Sequence, residues 1–165
     1  MELFFKHPER KFHLRELERL THLSMPGVRK IVNKLVKEGL LESKKEKMVK
    51  NYFAKRNEKF VHLKRAYNLH SLYRSGLVEF LKNQYENPEA IILFGSYSKG
   101  EDISKSDIDL AVITTKNKEL ELSLYEKKLA REIRIYEITI KKAEKEFLNT
   151  ITNGIVLEGY LTVIE

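Results

Sequence analysis

The sequence contains no cysteine. Disulfide bridges, thiolate nucleophiles and cysteine-ligated zinc are thereby excluded. No apolar run approaches the roughly 18 residues of a membrane-spanning helix. The opening stretch, MELFFKHPER, lacks the apolar core and small-residue cleavage site of a secretory signal. These absences predict a cytoplasmic protein without membrane contact. What is present is charge: 33% of the 165 residues are charged and 42% are hydrophobic, so a core can form beneath a highly charged surface. The length suits one medium domain or two small ones.

The net charge of +7 is unevenly placed. Residues 1–57 hold fifteen Lys and Arg against seven Asp and Glu, a net +8; residues 58–165 hold sixteen against seventeen, a net −1. A basic module joined to a nearly neutral one points to two tasks, the basic one meeting a polyanion. The competing reading is solvated surface charge.

Within the basic module, Leu14, Leu17 and Leu20 recur at three-residue spacing and predict a short helix. Ser24 suits an N-cap and Pro26 a first helical turn, where its missing N–H is not needed. Val28, Ile31, Val32, Leu35 and Val36 then form an apolar stripe, and Gly39 ends the helix. The opposite face carries Arg29, Lys30, Asn33, Lys34 and Lys37. LLES and KNYFAK read as short strands around a lysine-rich turn, KKEKMVK. Helix, turn, helix and basic hairpin over residues 1–57 resemble the winged helix-turn-helix of DNA-binding regulators. That resemblance implies a helix from Met25 to Glu38 in the major groove. Arg29 and Asn33 would read base edges. Lys30, Lys34, Lys37, Lys44, Lys45, Lys47 and Lys50 would complete the DNA-binding face, the hairpin lysines on phosphates. The alternative is a winged helix used for protein contact or dimerisation.

Residues 58–87 carry apolar side chains at helical spacing, from Phe60 to Leu81, up to the break at Asn87-Pro88. This connecting segment is either one helix of roughly 40 Å, at about 1.5 Å per residue, or two helices divided at Gly76. His62 and His70, eight residues apart, read as ordinary surface histidines rather than a metal pair.

Residues 88–165 alternate strand and helix patterns: AIILF, a Gly-Ser turn, SDIDLAVITT, a helix over residues 117–131, the strand EIRIYEITI, the helix KKAEKEFLNTI and a closing extended segment. This order predicts a mixed α/β (α+β) domain. Asp107 and Asp109 lie two residues apart in a strand and so share a face, while Ile108, Leu110 and Val112 take the other. Two neighbouring carboxylates repel and raise each other's pKa, which a hard divalent cation such as Mg²⁺ relieves. Gly95 permits close backbone approach, and Ser96 offers a hydroxyl and an N–H to a phosphate.

The run GSYSKGEDISKSDID, Gly-Ser, ten residues, then Asp-x-Asp, resembles the signature of the nucleotidyltransferase superfamily typified by DNA polymerase β. It is most similar to the minimal, antitoxin-type branch. The resemblance implies a nucleotidyltransferase mixed sheet with flanking helices over residues 88–165. It implies a two-metal reaction on a nucleoside triphosphate, ATP being favoured. Asp107 and Asp109 would hold two Mg²⁺ ions, Gly95 and Ser96 would grip the terminal phosphates, and Lys99 would help neutralise them. A third carboxylate on a later strand is expected, and Glu137 in RIYEITI is its candidate. Its register is open, because Ile133 and Ile135 share its parity while Ile138 and Ile140 do not.

The leading expectation is a Mg²⁺-dependent nucleotidyltransferase carrying a DNA-binding winged helix. Its acceptor hydroxyl would lie on a HEPN-type helical partner protein, a small molecule or an RNA end. The alternative is a transcription regulator whose degenerate nucleotidyltransferase domain senses a nucleotide without turnover. A homodimer on a two-fold DNA site is expected by analogy. A dimerising scaffold would explain residues 58–86 but not the aspartate pair.

Overall fold

A computed structural model of the protein describes residues 1–46 and 48–162. It divides into two compact units, Met1–Leu63 and Lys64–Glu165. The division between them falls inside the helix α4 (Glu58–Ser75). Among the described residues, no helix is long and apolar enough to cross a membrane.

The first unit runs α1 (Glu2–Lys6), β1 (Phe12–His13), α2 (Leu14–Thr21), α3 (Met25–Lys37), β2 (Leu41–Glu46) and β3 (Val49–Ala54). Its three strands form an antiparallel sheet in the order β1-β3-β2. The helix ends follow from the residues at them. Ser24 caps α3 by accepting from the Gly27 N–H, Pro26 sits in the first turn, and Gly39 leaves the helix at φ +73°. Asn57 accepts from the Phe60 N–H to start α4 and donates to the Gly39 carbonyl at 2.9 Å. Phe4, Phe12, Leu17, Val28, Val32, Leu35 and Tyr52 are buried, with Phe4 edge-on to Phe12. Two expectations are corrected. The apolar stripes expected on α2 and α3 are covered only in part, since Leu20 and Ile31 stand exposed. The expected lysine-rich turn is mostly strand, since Lys44 and Lys45 lie in β2 and Lys50 in β3.

The second unit takes in α4 from Lys64 onward, then α5 (Leu77–Gln84), β4 (Ala90–Phe94), α6 (Gly95–Lys99), β5 (Ile108–Ile113), α7 (Ser123–Leu129), β6 (Ile133–Ile138), α8 (Lys145–Thr152) and β7 (Ile155–Gly159). Gly76, at φ +83°, separates α4 from α5, so the segment forms two helices. The helix expected over 117–131 begins only at Ser123. The sheet order is β6-β5-β4-β7, mixed: β5 pairs antiparallel with β4 and parallel with β6. Both sheet faces are covered. One packs Ile91, Leu93, Ile108, Leu110, Val112 and Ile133 against Leu77 and Leu81. The other packs Ile92, Phe94, Ala111, Ile113 and Ile138 against Ile151. A strand covered on two sides shows no clean alternation, which is why β4 is wholly apolar. The α+β class predicted from the sequence is the class observed.

Candidate functional site

Strand β4 ends at Phe94, which lies directly across from Asp109 on β5. The chain must turn at once, and Gly95 makes that turn at φ +74°, a conformation that L side chains resist. A Cβ on Gly95 would stand 2.6 Å from Asp109 Oδ2, so the carboxylate occupies the space that glycine leaves. The Ser98 hydroxyl donates to the Gly95 carbonyl at 2.8 Å, and Gly100 closes the short helix α6 at φ +77°. Ser96 is half-exposed beside Gly95, and Lys99 is exposed at the end of α6.

The segment from Gly100 to Asp107 is fixed by a buried polar cluster. Asp102 accepts from Lys64 and, at 2.7 Å, from Asn68, whose amide also donates to the Tyr97 carbonyl at 2.9 Å. Arg131 lies 3.5 Å from the second Asp102 oxygen. The Ser106 hydroxyl accepts from the Ile103 N–H. These anchors deliver Asp107 to the start of β5 and leave Asp107 and Asp109 on the face opposite Ile108 and Leu110.

The neighbouring strand decides what meets that pair. In the parallel register Asp109 faces Arg134 and Val112 faces Glu137. Arg134 therefore shares the aspartate face, and its guanidinium contacts Asp107 at 2.6 Å. Tyr136, on the same face, hydrogen-bonds Asp109 and packs against Phe94 and Phe147. Burial pushes the Asp109 carboxyl above its ordinary value; Arg134 pulls it down and Asp107 raises it. Asp107 in turn raises the Arg134 guanidinium.

Glu137 is not brought to this site. It belongs to the opposite face, where it accepts from the Tyr85 hydroxyl and the Lys118 N–H, each at 2.7 Å. The expected third carboxylate is thus corrected in place: parity sends Glu137 with Val112, and the strand position beside Asp109 holds Arg134. The sequence alone does not single out Arg134: it lies between Ile133 and Ile135 much as Glu137 lies between Tyr136 and Ile138, and only the pairing with β5 decides which shares the aspartate face.

The two aspartates offer hard oxygen donors suited to Mg²⁺ together with phosphate oxygens. Among the described residues, no group of three or more His, Asp or Glu side chains converges on a metal position. Residues 76–159 match the family model described as Polymerase beta, Nucleotidyltransferase. The chain belongs to this family. Membership in the polymerase beta nucleotidyltransferases indicates nucleotidyl transfer as the activity class, and the matched segment contains the Gly95 turn, both aspartates and Arg134. No curated protein matches the chain.

In the first unit, Arg29, Lys30, Asn33, Lys34 and Lys37 are all exposed on α3. Lys34 also lies 3.8 Å from Glu38. Lys44, Lys45 and Lys50 are exposed on the β2–β3 hairpin, with Lys45 and Lys50 directly opposite across the ladder. Lys47 lies outside the described residues.

Proposed function

We propose that the second unit binds a nucleoside triphosphate, ATP being favoured, with Mg²⁺ and transfers its nucleotide to an acceptor hydroxyl. The single observation behind this reading is the fit of the Asp109 carboxylate into the space left by Gly95, with Asp107 on the same face. Asp107 and Asp109 hold the Mg²⁺. The Gly95 and Ser96 N–H groups and the Ser96 hydroxyl grip the β- and γ-phosphates, and Lys99 draws the triphosphate from solution. Bound there, Mg²⁺ supplies charge neutralisation to the phosphate oxygens. The acceptor oxygen bonds to the α-phosphorus as the bond to the β-phosphate breaks; pyrophosphate leaves and the hydroxyl proton passes to water. A hydroxyl on a HEPN-type helical protein is the first acceptor to test.

The first unit, on this reading, is a winged helix that binds DNA. Helix α3 exposes a basic face, and the opposed Lys45 and Lys50 repel each other until a phosphate lies near both. A second reading has one specific observation in its favour: an arginine on Asp107, with Glu137 turned away. On that reading the protein is a DNA-binding regulator that senses nucleotide without consuming it.

Incubation with Mg²⁺ and α-labelled nucleoside triphosphates in host extract separates the two. The expected result is label on a macromolecule and release of pyrophosphate, both lost in the Asp107→Asn/Asp109→Asn double variant. Nucleotide bound but not consumed, with a changed DNA affinity, selects the sensing regulator instead.

A further inference from the structure

Arg134 has no part in the transfer reading above, yet it directly contacts one of the two carboxylates. Its guanidinium stands 2.6 Å from Asp107, and its strand position faces Asp109. It is held there by register and not by burial, for its side chain is 59% exposed while that of Asp107 is 20% exposed. A surface arginine alone is no site. Here it sits against one of two carboxylates that share a face, and the chain places it there through a six-residue parallel ladder.

The charge balance has a consequence. Two carboxylates present two negative charges, and one guanidinium cancels one. The remaining demand is met by one divalent cation shared with the phosphates of a nucleotide. A second divalent ion would have to displace Arg134 from Asp107 or share that carboxylate with it at close range, where like charges repel strongly.

We propose that Arg134 is a resident counter-cation of the Asp107–Asp109 pair, so that the site takes up a single divalent ion and the guanidinium stands where a second would lie. Arg134 is on this account a positioning residue: it fixes Asp107 and competes with metal for it. The nucleotide half of the inference rests on the proposed function; the metal half rests on the carboxylates and the arginine alone.

The experiment is Mn²⁺ titration of the full chain, read by electron paramagnetic resonance, with and without α,β-methylene-ATP. The wild type should bind one Mn²⁺ per chain in the presence of the analogue. An opposite charge in contact changes a carboxylate's proton affinity by about tenfold or more, so Arg134→Gln should tighten Mn²⁺ binding to the nucleotide-free chain roughly tenfold. Arg134→Lys, which keeps the charge, should behave as wild type. Arg134→Asp should admit a second Mn²⁺ with the analogue. Two ions on the wild type, an unchanged affinity in Arg134→Gln, or no Mn²⁺ on any of these chains overturns the inference. If the analogue fails to bind the wild type while Arg134→Gln still gains Mn²⁺ affinity, the proposed function fails with the nucleotide half of the inference, and the metal half stands. An intact thermal transition in each variant keeps the comparison one of binding and not of folding.

Discussion

Asp109 is a carboxylate in a place that favours its neutral form. Burial is the main reason its pKa lies above the ordinary 3.8, with Asp107 adding to the effect and Arg134 and Tyr136 opposing it. The native chain therefore holds the Asp109 proton more tightly than the unfolded chain does. Stability from this group is greatest below 3.8, falls as pH rises from 3.8 through the raised value, and is flat above it. Asp109→Asn should accordingly raise the melting temperature at pH 7, by an amount on the order of a few degrees, moderated by solvent screening. The gain should vanish when the melts are repeated below pH 3.8. A lower melting temperature at pH 7 would show that Asp109 is structural. An active-site group that weakens the fold is what strain held for function looks like.

At the scale of elements, the link that carries Asp107 from α6 into β5 depends on Asp102. Its carboxylate is buried and takes Lys64 and Asn68, both from α4. Removing one partner of a buried ion pair leaves the other charge uncompensated, at about 3–5 kcal/mol. Asp102→Ala should therefore lower the urea-denaturation free energy by that amount, while the exposed neighbour Glu101→Ala should change it little. Equal small losses from both would remove the anchor from the account. Elements with local signals were legible in the sequence: Ser24, Pro26 and Gly39 bracket α3, and Asn87-Pro88 precedes β4. The Asp-x-Asp face was legible because Ile108 and Leu110 fix its parity. What was not legible depended on partners distant in sequence. Strand β6 is apolar on both faces, because Ile133 and Ile135 join one core and Ile138 the other. Alternation within β6 could not choose between Glu137 and Arg134; only the ladder to β5 does so. Asp102 and Lys64 gave no local signal either, since thirty-eight positions separate a surface-type pair that proves to be buried.

Over the whole molecule the charge is segregated. The net +8 of residues 1–57 stands beside a net −1 over the remainder. If the exposed lysines of α3 and the hairpin meet phosphates, the logarithm of the DNA-binding constant should fall linearly with the logarithm of salt concentration. Each lost phosphate contact should reduce the slope by about 0.9. Lys34→Ala/Lys37→Ala should thus flatten the salt dependence in a fluorescence-anisotropy titration by roughly two such steps if both contacts are made. A flat response in the wild type would count against a nucleic-acid partner for this unit. The sheet order β6-β5-β4-β7 bears on the same molecule in time. Strand β4 is fully apolar and lies between β5 and β7, and β7 begins only at Ile155. On the ribosome, AIILF and β5 emerge long before β7 does. Until then the nascent chain carries a bare hydrophobic strand edge, the feature most open to mispairing with another chain. The interval between making residue 94 and residue 155 is a window in which a chaperone has a defined segment to shield.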